Sequence, residues 1–368
     1  MAPEVFWYIN PADGEVPWEP GHRVTPSLST LVEQARNLDS LGFDGALTTA
    51  REPIALVPGT RDLRFLIPVY PGVTPPALLA EQAQVFDHYS GGRLIYNQVN
   101  GADPVLARYG QFTSKEQRYR LSAEYWRQVK RLYADETDAY DGEYLSYGPR
   151  YKPAIPGPRQ PGGIEVWGTG ASPEGIEHAA EVLDAYLAFL STPDQLAGLF
   201  SRVRAATAER GRTVRFGALA SVIVRETEEQ AWDRFAEQLA ATSRDTVLAT
   251  ADRNLRSFGF PGLDELVADD PQVQARIDAL RAGRIPDIDS LRFGPNMAAG
   301  LTTWTAAEPP FDIAGKGTGT YFVGSAENVA ATMNAVAEQA GVDIWLLSGW
   351  PLASEARHVA ELLIPRLR

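Results

Sequence analysis

Short runs of β-branched and aromatic residues alternate with longer stretches whose apolar positions recur every three to four residues, and the alternation persists along the chain. Eight runs predict strands: Glu4–Ile9, Gly45–Thr49, Arg64–Val69, Leu94–Asn100, Ile164–Thr169, Ala185–Leu190, Arg215–Arg225 and Asp343–Ser348. Helical spacing follows most of them, over Leu28–Leu41, Pro76–Tyr89, Pro173–Leu183, Pro193–Arg210, Glu228–Thr242, Ala326–Ala340 and Glu355–Leu367. Strands alternating with helices predict a parallel sheet, and eight such units predict an α/β fold of the TIM (β/α)8-barrel class. No linker, composition shift or low-complexity segment divides the chain, so residues 1–368 read as one domain with insertions at about 101–162 and 246–320.

The first insertion predicts a helix over Ser114–Ala134 and then a hairpin at Asp141-Gly142, between Tyr-rich flanks. Within the second, Arg281–Lys316 is rich in Gly, Pro and Arg and poor in periodic apolar residues, which predicts a lid near the mouth of the barrel. The connection Ala50–Leu63, carrying Pro53, Pro58 and Gly59, barely has room for a helix.

The stretch GIEVWGTGASPEGIEHAA, Gly163–Ala180, changes character three times. A strand ends in Gly168-Thr169-Gly170-Ala171, whose lack of side-chain bulk lets a backbone approach a ligand closely. Ser172-Pro173 then opens a helix with a preferred N-cap and with proline at the first position. Helix N-termini attract anions, so the turn is a candidate anion site, although an ordinary well-capped strand-to-helix turn uses the same residues. The pattern is neither GxGxxG nor a Walker A loop, which favours a single phosphate monoester over a triphosphate.

Composition narrows the chemistry. The absence of cysteine among 368 residues excludes disulfides, thiolate metal sites and a thiol nucleophile. A formal charge of −13 without a clustered basic face argues against a nucleic-acid surface. There is no apolar run long enough to span a membrane and no secretory signal at the start, so a cytoplasmic location and a small-molecule partner are expected. Of the four histidines, His22 sits in a proline-flanked loop, while His88, His178 and His358 fall in helices, where structural roles are the expectation. No pair has metal-ligand spacing, so no metal is expected, and no GxSxG elbow exists.

In a barrel of this class the chemistry lies at the carboxyl ends of the strands. The polar residues there are Asn10, Thr48, Thr49, Tyr70, Asn97, Asn100, Thr169, Ser221 and Ser348, with Trp350 beside them. Amide side chains both donate and accept, which suits the mixed edge of a heteroaromatic ring; as ordinary turn caps they need no ligand.

FWYINPADGE, HYSGGRLIYNQVNGADP, QRYRLSAEYW, RFGALASVIVRETEEQAW and LLSGWP together resemble the alkanesulfonate monooxygenases of the bacterial luciferase-like, flavin-dependent superfamily. The resemblance spans nearly the whole chain, and Ser90-Gly91-Gly92-Arg93 leading into Asn97 is a fairly specific marker of it. It implies a barrel that receives reduced FMN from a separate NAD(P)H-dependent flavin reductase and, after O2 adds to the flavin, oxygenates a small or medium organic substrate. It further implies a homo-oligomer, a dimer or tetramer. On this resemblance Thr169, Gly170, Ala171 and Ser172 match the phosphate-binding turn, and Asn97, Asn100 and Tyr119 match positions near the flavin.

The chain also departs from that pattern. Leu219 and Ser221 stand where the sulfonate enzymes carry an Arg and a His, and Trp350 stands where they carry a tyrosine. A sulfonate held out of water needs a paired cation; Arg284, Arg292 or Lys316 of the lid could supply one, but none sits on a strand end. The expected catalytic set is therefore Asn97, Asn100, Ser221 and Trp350, acting on a substrate other than a simple alkanesulfonate. Two alternatives stay open: an organosulfur monooxygenase that releases sulfite, and a luciferase-like dehydrogenase or binding protein that uses flavin or a deazaflavin.

Overall fold

The computed structural model describes residues 2–22, 25–48, 53–101, 106–150, 160–246, 261–299 and 320–367. In chain order its main elements are β1 (Glu4–Ile9), α1 (Leu28–Leu41), β2 (Gly45–Thr48), β3 (Arg64–Val69), α2 (Pro76–Ser90), β4 (Leu94–Gln98) and α3 (Lys115–Tyr133). They continue with β5 (Glu165–Gly168), α4 (Pro173–Val182), β6 (Ala185–Phe189), α5 (Pro193–Glu209), β7 (Arg215–Arg225) and α6 (Glu228–Ala240). The last are β8 (Thr320–Ser325), α7 (Ala326–Ala340), β9 (Ile344–Ser348) and α8 (Leu352–His358). The fold is α/β, of the TIM (β/α)8-barrel class.

The chain forms two compact units, Met1–Phe43 with Phe189–Ala197 and Ala218–Arg368, and Asp44–Ala188 with Gly198–Gly217. In the second, β2, β3, β4, β5 and β6 lie side by side in parallel, with Phe65 opposite Leu94 and Asn97 opposite Trp167. The motif Ser90–Arg93 places β4. Gly91 and Gly92 take φ of 79° and 86°, which stops α2 in the left-handed conformation that glycine adopts without strain. Arg93 is then buried, and its guanidinium donates to Thr60 Oγ1 at 2.9 Å, Leu63 O at 2.8 Å and Ser90 O at 2.7 Å. A buried cation with these carbonyl and hydroxyl partners locks the chain just before Leu94, where β4 and its Asn97 begin to pair with β3 and β5.

In the first unit β8, β7, β9 and β1 form the parallel layer, with Tyr321 opposite Ser221 and Phe6 opposite Leu346. Asp13, buried in the loop after β1, accepts from Leu352 N at 2.7 Å and so caps α8.

Several expectations change in detail. β4 stops at Gln98 and β5 at Gly168, which leaves Asn100 and Thr169 in the loops beyond them, and Thr49 lies outside the described residues. The helix read as Glu355–Leu367 is instead α8 followed by a wide turn, Val359–Leu363, and a tight one, Ile364–Arg366. The hairpin pairs Tyr140–Asp141 with Ser146–Tyr147 around a four-residue loop, so Asp141-Gly142 opens the turn but does not form all of it. The segment read as a lid is structured where it is described. Ile288–Leu291 is a helical turn, and Arg292–Gly294 and Met297–Ala299 form a hairpin antiparallel to β8, a strand absent from the sequence reading. Residues 300–316 of that segment, with Lys316 and Trp304, lie outside the described residues.

Candidate functional site

The turn after β5 is built by backbone contact. A Cβ on Gly175 would lie 2.8 Å from the carbonyl carbon and oxygen of Gly170, and one on Gly170 would lie 3.0 Å from Gly175 Cα. Only two glycines allow this approach. Ser172 caps α4, its Oγ accepting from Gly175 N at 3.2 Å, and Pro173 occupies the first helical position. Thr169 and Ala171 are exposed while Gly170 and Ser172 are half-buried, so the turn is open to a ligand. Tyr186 Oη donates to Gly170 O at 3.1 Å. Half-buried Tyr119, on α3, brings its Oη within 3.2 Å of the Cβ position on Gly170. The structure thus brings together Tyr119 and Thr169–Ser172.

Asn97 is half-buried near the end of β4. Asn100 Oδ1 accepts from Gln98 Nε2, but Asn100 Nδ2 and Gln98 Oε1 are buried with no hydrogen-bond partner. Gln98 Oε1 would lie 2.8 Å from a Cβ on Gly168, the last residue before the turn. An orphan donor beside an orphan acceptor is costly inside a folded chain. Gln98 was not singled out in the sequence, where it reads as one more strand residue.

Ser221 and Trp350 belong to the other compact unit, and both are buried, at 0% and 1% exposure. Ser221 Oγ lies 2.9 Å from Ser348 Oγ. Trp350 O accepts from Gln238 Nε2 at 2.6 Å, while its indole Nε1 is buried without a partner. Tyr8, also missed in the sequence, packs edge-on to Trp350 at 6.2 Å and accepts from Asn10 Nδ2 at 2.7 Å. Burial pushes its phenol up to about 12, so it keeps its proton at neutral pH. Arg292, considered as an anion partner, instead stacks its guanidinium 3.7 Å from the centroid of Trp232. Among the described residues no cluster of His, Asp or Glu could hold a metal.

A cavity of about 800 Å³ lies in the second unit between α2 and β3, lined by Ile54, Ile67, Leu79, Phe86, Tyr96 and Tyr109 among others. It forms where the short turn Pro53–Gly59 packs in place of a full helix. It touches none of the turn residues or the asparagines.

The sequence pattern of the luciferase-like monooxygenase family matches residues 16–343. The chain belongs to that family. Among solved structures it is similar to a long-chain alkane monooxygenase, LadA, at 17% identity and TM-score 0.75, covering 99% of this chain and 91% of that one. It is similar also to riboflavin lyase, RcaE, solved with modified FMN and riboflavin, at 16% identity and TM-score 0.74 with the same coverage. An F420-dependent secondary alcohol dehydrogenase aligns over the full length of both chains at 14% identity and TM-score 0.63. These likenesses show a shared fold.

Proposed function

We propose that this family member is the oxygenating component of a two-component monooxygenase, taking reduced FMN from a separate NAD(P)H-dependent flavin reductase. The observation that carries the reading is the backbone contact of Gly170 with Gly175 beside Tyr119, in a small-residue turn at a helix N-terminus, a place that suits one phosphate monoester. In this reading the phosphate rests on Thr169–Ser172, with the Tyr119 hydroxyl beside it. Asn97 and Asn100 reach the ring edge, where Asn100 Nδ2 gains the acceptor it lacks. Reduced FMN held there supplies two electrons to O2, so that one oxygen atom enters the substrate and the other leaves as water.

The chain's own contribution is to hold the cofactor and to keep water and stray protons from the reacting atoms. Ser221 and Leu219, which stand where the sulfonate enzymes carry a His and an Arg, bring no charge, which supports a neutral or weakly charged organic substrate over a sulfonate. Anaerobic titration with reduced FMN, reduced riboflavin and a reduced deazaflavin tests the cofactor. Product labelling from 18O2 in the presence of a reductase tests the reaction. Preferential binding of the deazaflavin, with hydride transfer to a carbonyl substrate and no oxygen incorporation, would replace this reading with that of a dehydrogenase.

A further inference from the structure

The candidate phosphate turn is held by a closed circuit of side chains on two helices. On α3, Tyr119 and Ser122 are three residues apart and share a face; on α4, Gly175 and His178 stand in the same relation. Gly175 abuts Gly170. His178 Nε2 lies 2.9 Å from Ser122 Oγ, and its ring centroid is 5.5 Å from that of Tyr119. Tyr119 returns to the turn, its hydroxyl over Gly170.

His178 is 3% exposed, and its Nδ1 is buried with no hydrogen-bond partner. Burial pushes the imidazole down to about 4, so the ring is neutral at pH 7. A neutral imidazole has a single N–H. With that proton on Nε2 and donated to Ser122, the atom left bare is a lone pair, which costs less than a buried N–H without an acceptor.

We propose that His178 is a positioning residue of the phosphate turn: held by Ser122, it sets the Tyr119 ring so that the hydroxyl stays over Gly170, and so makes the site prefer a flavin with a terminal phosphate. This rests on the reading of Thr169–Ser172 as the phosphate site. The test compares reduced FMN with reduced riboflavin, which lacks only the phosphate, by anaerobic titration of the full chain and of the variants Ser122→Ala and His178→Phe. Loss of one neutral hydrogen bond predicts about a three- to tenfold weaker affinity for FMN in Ser122→Ala. Riboflavin affinity should stay unchanged, because it makes no contact with the turn. His178→Phe keeps an aromatic ring against Tyr119 and should show the same split; if it does not fold, Ser122→Ala alone carries the test. Unchanged FMN affinity in Ser122→Ala, or an equal loss on both ligands, overturns the positioning role. A wild-type chain that binds the two ligands equally well overturns the phosphate site itself, which is a different outcome.

Discussion

Gly175 lies against Gly170 with no room for a methyl group between them. The contact runs backbone to backbone, so no flexible side chain can give way. Gly175→Ala should cost about 1–3 kcal/mol through overpacking, or push α4 away from the turn. Affinity for reduced FMN should fall about tenfold or more for each 1.4 kcal/mol that the displaced turn loses. The control is Gly198→Ala in α5, where an added Cβ meets nothing within 4 Å. That change should leave FMN affinity unaltered and raise stability slightly, since alanine favours helix over glycine by about 1 kcal/mol. Thermal melts and flavin titrations on both variants check the contrast.

Arg225, at the end of β7, and Glu355, in α8, form a two-pronged ion pair at 2.8 and 2.7 Å. Glu355 is 1% exposed. Removing the carboxylate leaves a largely buried guanidinium without its partner, so Glu355→Ala should lose about 3–5 kcal/mol of stability. Chemical denaturation at neutral pH measures this. A loss below 1 kcal/mol would mean that Arg225 finds another partner or reaches water.

The eight strands read from the sequence were legible because each is an apolar or β-branched run bounded by turn residues, which is a local property. β8 was not. Thr320–Ser325 ends in Gly324-Ser325 and follows a long Gly-rich stretch, so its apolar core, Tyr321–Val323, is too short to stand out. It is a strand because it pairs with β7 on one edge and the hairpin at Met297–Ala299 on the other, partners no local pattern reveals. The same holds at the site. Gly168–Ser172 could be read from small residues and a cap, since both are chemical facts about single positions. Gln98, Tyr186 and His178 could not, because their importance comes from what they face across the fold.

The low pKa of His178 also predicts a pH dependence. In the folded chain it titrates near 4, and in the unfolded chain near the ordinary 6.5, so between these values the unfolded state binds the extra proton. Its contribution is therefore complete above about pH 6.5 and is lost as pH falls toward 4, by about 3 kcal/mol over the window at 1.36 kcal/mol per pH unit. Asp13 and Asp87, pushed up by burial, act in the opposite sense above the ordinary carboxylate value of 3.8. The difference between wild type and His178→Phe isolates the imidazole. Stability measured at pH 7 and at pH 4.5 should fall more steeply in the wild type, and parallel slopes would show that His178 titrates normally.

The substrate prediction follows from what stands on β7. Leu219 is buried at 3% exposure and Ser221 at 0%, and the hydroxyl of Ser221 is engaged by Ser348. Neither offers a charge to an anion. Arg292 is engaged with Trp232, its guanidinium 3.7 Å from the ring centroid. Transferring a sulfonate from water into such surroundings without a cation costs several kcal/mol, about as much as breaking a buried ion pair. A neutral or weakly charged substrate pays no such penalty and gains from every apolar contact. With a flavin reductase supplied, a panel of short and long alkanesulfonates should therefore give little sulfite above the background without enzyme, while apolar neutral compounds of similar length should stimulate oxygen incorporation. Efficient sulfite release from any member of the panel would reverse the assignment and would point to Arg284 as the next cation to replace.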